Sequence, residues 1–228
     1  MEQVQRKSSS LANIIAYALI GAFAFVVMKI EFPIMPGVGF LKFDFSDVII
    51  TIGMFIFGAG PGIFIAFIRT LLSLVFSGFA LPSLVGQIAA FLASISFALP
   101  FYWIAKSVEI KNRKSLKGHL LPILGLVIGS IAMTLILALA NAFILTPVYA
   151  VTSIANIPAI HSYAALYSFT EKVYLGQLLH LPSMNAYIFG IIVPFNLIKG
   201  VINSVVVYIL FESVLKNIKP FVRRKFNI

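Results

Sequence analysis

The chain has 228 residues, of which 61% are hydrophobic and 11% charged. A soluble domain of this size is about a quarter charged, so the composition excludes one and implies a single integral membrane bundle spanning residues 1–228. The lack of cysteine excludes disulfides, zinc thiolates and a thiol nucleophile; the net charge of +10 lies in short runs between and beyond apolar segments, the pattern of cytoplasmic loops rather than of a nucleic-acid surface.

Met1–Ser10 carries Arg6 and Lys7 and reads as a cytoplasmic tail. Residues 11–28 are uncharged and form the first expected crossing. A signal peptide is the alternative, but the apolar run is long for one and more membrane protein follows it. Ala18 and Ala22 lie four apart on one helical face, where small side chains let another helix approach. Residues 29–46 form a loop rich in proline, glycine and phenylalanine. From Phe40 to Phe45 it alternates so that an extended segment would turn apolar groups to one side, and Ser46 or Asp47 suits the N-cap of the next helix.

The uncharged run that follows is broken by Gly58-Ala59-Gly60-Pro61-Gly62, a turn signal with Pro61 placed to start a helix. Two short crossings are expected, 47–57 and 61–76. The second contains Arg69, read as a structural cation that pairs with Asp44 or Asp47 or snorkels to an interface. Thr70–Ala105 has no charge over 36 residues. As one helix it would run about 54 Å against a hydrocarbon core of about 30 Å. It must break at Ser77-Gly78 and Pro82, which starts the fourth crossing at 83 and ends it at 105, near Tyr102 and Trp103. The basic loop Lys106–Lys117 marks its own side as cytoplasmic.

The fifth crossing, 118–146, carries Gly125 and Gly129 as a close-packing pair and Asn141 near its outer end. Residues 147–185 read as a long, aromatic-rich outer loop, partly helical and lid-like. The sixth crossing, 186–212, holds Lys199 roughly 18–20 Å from either end of its apolar run. A charge at that depth costs at least about 2.5–3.5 kcal/mol, so it needs a partner. Glu212 is more than three turns away, whereas Asn196 and Asn203 share the lysine's face at i−3 and i+4. A lysine flanked by carboxamides after Pro194 reads as an inward-facing polar pocket, with bonding to backbone carbonyls or snorkelling as the alternative.

Of the 17 Lys and Arg, 12 fall in the first tail, the Lys106–Lys117 loop and the C-terminal tail. These three clusters share a side when an even number of crossings separates them. The expected fold is therefore all-α, six transmembrane helices with both termini cytoplasmic. There is no Walker A sequence, the three histidines lack metal-ligand spacing, and intramembrane acids of the proton-relay kind are not evident. A substrate site without an engine points to a binding subunit that draws energy from a partner.

Several stretches then resemble one family. Ile30-Glu31-Phe32-Pro33, Phe40 through Asp47, and Gly60-Pro61-Gly62 are similar to riboflavin-specific substrate-binding subunits (S components) of energy-coupling-factor (ECF) transporters. Phe91 through Phe97 and Pro194 through Gly200 resemble the same family, and the likeness covers nearly the whole chain, weakest over 147–185. The resemblance implies a multi-pass protein of the prokaryotic cell membrane, not an enzyme, with no cofactor or metal of its own. It implies riboflavin as transported ligand, with FMN as a further candidate. A transmembrane coupling subunit and two ATPases would be the partners, and ATP would be used by them alone.

By the same resemblance Asn141, Asn196 and Lys199 hydrogen-bond the flavin, Leu41 with Lys42 and Phe43 covers it, and Ala18 and Ala22 form the docking face. One departure is Gln87 and Ala90, where relatives often carry an acid and an asparagine. The alternatives are an S component for another vitamin, a subunit that exports flavin nucleotides, a membrane-embedded lipid-modifying enzyme, or a structural membrane subunit that would have no use for Lys199.

Overall fold

A computed structural model describes residues 2–35, 41–106, 108, 115–154 and 157–226. Helix α1 (Glu2–Met28) leads into a two-stranded hairpin, β1 (Phe32–Pro33) and β2 (Lys42–Phe43). The strands are antiparallel, with Phe32 opposite Phe43 and Pro33 opposite Lys42. Then come α2 (Ser46–Phe57), α3 (Ala59–Ser77), α4 (Leu81–Ala105) and α5 (Leu116–Ala140). The chain continues through α6 (Thr146–Ser153), α7 (Tyr163–Phe169), α8 (Met184–Tyr187), α9 (Val193–Ser213) and α10 (Lys219–Phe226).

Among the described residues five spans are long and apolar enough to cross a bilayer: Leu11–Met28, Ala59–Ser77, Leu81–Ala105, Leu116–Ser153 and Met184–Val222. The sixth apolar helix, α2, has 12 residues, about 18 Å of rise. It sits centrally, packed against α1, α3, α4 and α9. Gly58 then reverses the chain at φ 107°, a conformation that favours glycine, and α3 starts directly after it at Ala59 rather than at Pro61.

Three helix junctions share one local cause. The turns at Asn141–Leu145, Ile188–Ile192 and Val214–Ile218 are widened to i→i+5 bonding, and each is followed at the second position by a proline: Pro147, Pro194 and Pro220. A proline inside a helix lacks a donor and crowds the carbonyl four residues back. Those carbonyls belong to Phe143, Gly190 and Lys216, in the middle of each widened turn. The wider turn relieves the clash and keeps the helix going. Pro100 and Pro122 lie within α4 and α5 without such a turn.

This continuation corrects several expectations. The fifth helix does not stop before Pro147 but runs on through α6 to Ser153. Residues 147–185, expected to be partly helical, do contain helix: α7 passes into a further wide turn over Thr170–Leu178. Leu175, Met184, Tyr187 and Ile188 from this region and the start of the last helix cluster with Leu41 of the hairpin, giving an ordered apolar cover at that end of the bundle. The last helix likewise continues into α10 instead of releasing a tail at Glu212. At the other terminus α1 begins at Glu2 where a tail was expected, because Glu2 to Lys7 are mostly strong helix formers that extend the apolar helix after them. Phe40, and Lys111, Arg113 and Lys114 of the basic loop, lie outside the described residues.

Close backbone approach holds the bundle's second half. A Cβ on Gly129 would collide with the Phe97 carbonyl of α4, and one on Gly125 would stand 3.0 Å from Phe101 Cα. Next to this seam, Phe55, Phe101 and Phe211 meet as an aromatic triad with centroids 4.9–5.7 Å apart. The bundle's outside is apolar too: Leu19, Phe76 and Ile209 are 65%, 72% and 68% exposed. Helices that are apolar on both faces belong in lipid.

Candidate functional site

A cavity of about 380 Å³ opens at the hairpin end, within the range of small-molecule sites, roughly 300–1,000 Å³. Its wall takes Met28 from the end of α1, Glu31, Leu41, Lys42 and Asp44 from the hairpin region, and Gly86, Gln87 and Ala90 from α4. Leu137 of α5, Asn141 and Leu145 of the first wide turn and Tyr149 of α6 continue it. Ile192 of the second wide turn, then Phe195, Asn196 and Lys199 of α9, close it. The two wide turns lie beside each other, so the prolines that shape them also position Asn141 and the start of α9.

Five of the residues singled out from sequence, Leu41, Lys42, Asn141, Asn196 and Lys199, meet in this wall. Phe43 does not. Adjacent strand residues face opposite ways: Lys42 is exposed and paired to Glu31 at 2.6 Å, while the fully buried Phe43 ring packs on Phe32 and Phe45 at 5.5 and 4.8 Å. Ala18 and Ala22 are half-buried on α1 and do not line the cavity.

The partner of Lys199 is an acid after all. Its Nζ stands 2.9 Å from Asp47 Oδ2, which overturns the expectation that the acids offered it little. Asp47 Oδ1 accepts a hydrogen bond from Ser94 Oγ at 2.5 Å. Asn203 Nδ2 lies 3.5 Å from Oδ2. Arg69 Nη2 donates to Ser94 Oγ at 2.5 Å and to the Ala90 carbonyl at 3.0 Å, and Nη1 reaches Met28 Sδ at 3.4 Å. Arg69 therefore joins the same network through Ser94, in line with its structural reading. Asp47 and Arg69 are each 1% exposed. An unpaired charge so deep would be costly, and each cation here has an anion within the same cluster.

Two further expectations change with it. Neither Ser46 nor Asp47 caps α2; Asp44 Oδ1 instead accepts the Ser46 amide at 2.7 Å, freeing Asp47 to turn inward. The apparent lack of an intramembrane acid is corrected by Asp47 itself, buried in the first turn of α2.

The two asparagine amides in the wall are oriented by their own helices. Asn141 Nδ2 donates to the Leu137 carbonyl and Asn196 Nδ2 to the Ile192 carbonyl, both at 2.8 Å. Each bond ties the side chain to its own helix four residues back and fixes its orientation. Gln87 Oε1 is buried in the wall without a hydrogen-bond partner among the described residues. A buried carbonyl oxygen left unsatisfied is a place for a ligand donor. From sequence, Gln87 and Ala90 stand only as a departure, Asp44 and Asp47 are named only as candidate partners of Arg69, and Glu31, Ser94, Tyr149 and Phe195 are not assigned to the site or its support. A count of buried charge could have extended Asp47 from Arg69 to Lys199, since two intramembrane cations call for anions.

Comparison with known proteins places the chain in a family. The family model for the substrate-specific component of ECF transporters matches residues 12–211. The riboflavin transporter RibU of Staphylococcus aureus (strain TCH60) is 33% identical over 207 residues, covering 91% of this chain and 92% of the relative. The riboflavin transporter FmnP of Bacillus subtilis (strain 168) is 29% identical over 214 residues, covering 93% of this chain and 95% of the relative. A solved structure described as "Structure and mechanism of the S component of a bacterial ECF transporter" aligns with a TM-score of 0.63 at 32% identity, over 90% of this chain and 96% of that one.

Proposed function

The chain belongs to the substrate-specific components of ECF transporters, and from that membership we propose that it captures riboflavin in the cavity at the hairpin end and delivers it through an ATPase-driven coupling module. The observation that carries this reading is the make-up of the cavity. Leu41, Tyr149, Ile192 and Phe195 offer apolar and aromatic walls, while Asn141, Asn196, Gln87 and Lys199 offer hydrogen bonds. The isoalloxazine ring is planar, largely apolar and uncharged, with carbonyl and imide groups along one edge. Amides can donate and accept at such an edge, and an ammonium can donate to a carbonyl or to ribityl hydroxyls. Both cations in the wall, Lys42 and Lys199, have carboxylate partners, which favours the neutral vitamin over FMN.

In this reading the bundle crosses the prokaryotic cell membrane six times, with α2 as the short crossing and both termini cytoplasmic. The cavity then opens outward. A transmembrane coupling subunit and two ATPase subunits dock on the Ala18 and Ala22 face of α1, and they alone use ATP. The test is direct. Protein purified in detergent and stripped of ligand should bind riboflavin one-to-one by isothermal titration, and protein taken from cells should carry flavin absorption. Binding of a different vitamin with no response to riboflavin would move the chain to another branch of the family.

A further inference from the structure

Asp47 does not line the cavity, yet it controls the charge that the cavity presents. Lys199 stands between the two: it lines the wall and its Nζ is 2.9 Å from Asp47 Oδ2. An ammonium has three N–H donors. With one directed at Asp47, the others can serve a neutral oxygen while the charge itself is balanced from behind. Asp47 is held for this task by Ser94 Oγ and by Asn203, and Ser94 is held in turn by Arg69. Asp44, Asp47, Arg69 and Lys199 carry two charges of each sign, and Asp44 is itself in the wall.

We propose that Asp47 is a specificity-determining positioning residue, which keeps the site formally neutral and so selects an uncharged ligand over the same ligand carrying a phosphate. Without the Asp47 charge, Lys199 would face the cavity as an unbalanced cation and attract a phosphate. With it, a phosphate meets a balanced ion pair and the Asp44 carboxylate. In a water-poor site the difference of one nearby charge is large, and selectivity arises from an interaction that the wrong ligand cannot satisfy. A carboxylate serving only to offset a buried lysine for folding would affect both ligands alike.

This inference rests on riboflavin being the ligand, and riboflavin and FMN are the probes. Wild-type protein that binds neither would sink the functional reading itself, apart from this one. Given a binding wild type, Asp47→Asn should shift the ratio of FMN to riboflavin affinity toward FMN by about ten-fold or more at low salt. Asp47→Glu, which keeps the charge, should stay near the wild-type ratio. Equal loss of both ligands in Asp47→Asn, or an unchanged ratio, overturns the proposal. If Asp47→Asn does not fold, Lys199→Met and the double variant Asp47→Asn/Lys199→Met decide. The single variant leaves Asp47 unbalanced and should lose FMN about ten-fold more than riboflavin. The double variant is neutral again and should return to within about three-fold of the wild-type ratio; a double variant that keeps the ratio of the single one overturns the proposal.

Discussion

Lys199 shows how a single residue can serve fold and site together. Its chain is buried in the bundle, its Nζ is ion-paired to Asp47, and the same group lines the cavity. Replacing it removes a ligand donor and also leaves Asp47 buried without its cation. Lys199→Ala should therefore weaken riboflavin binding about ten- to a hundred-fold, the worth of a hydrogen bond to a charged group, as read by titration calorimetry. Stability should fall as well, by about 3–5 kcal/mol, since breaking a buried pair strands the remaining charge. A variant that bound as tightly as wild type would remove the lysine from the site. The lysine's depth and its amide neighbours were legible as a pocket from the spacing of α9 alone. Its acid was not, because Asp47 lies 152 positions earlier, beside a loop where an N-cap role explained it equally well.

Of the five long apolar spans among the described residues, Leu11–Met28 of α1 has the smallest share of its residues buried. It packs on α2 and α3 through Gly21 and Ala24, while Leu11, Leu19 and Phe23 are exposed. Ala18 and Ala22 sit half-buried at the edge of that contact and do not touch the cavity. If they form the docking face, a bulky side chain there pushes the partner helix away and forfeits many small dispersion contacts. Ala18→Trp or Ala22→Trp should abolish ATP-driven uptake by the assembled complex and leave riboflavin affinity within about two-fold. Loss of both functions would mean that these alanines pack within the protein's own bundle. Uptake that persists would assign docking to another helix.

At the scale of the whole molecule, the bundle has a ligand-sized cavity at one end and belongs to a family of transporter components. Its buried Asp47 is neutralised by Lys199, with Arg69 joined to it through Ser94, rather than left to carry protons. Proteoliposomes with this protein alone should therefore bind riboflavin without concentrating it. ATP-dependent accumulation should appear on adding the coupling subunit and its ATPases. Concentrative uptake by the lone protein under an ion gradient would replace this reading with that of a secondary carrier.

The sequence by itself determined the membrane class, the apolar spans, the glycine break before α3 and the shared face of Asn196 and Lys199, because composition and helical period are local properties of a chain; Asn141 entered through family resemblance. It also contained the close-packing pair Gly125 and Gly129, whose missing side chains let α4 and α5 approach. Only the structure decided that helices pass Pro147 and Pro220, since a proline in sequence marks a helix end as readily as a widened turn that carries the helix on. It alone turned Phe43 into the core beneath Lys42, through strand pairing. It alone joined Lys199 to Asp47 and Arg69 to Ser94, because a buried ion network is a property of which helices meet, and no spacing within one helix records it.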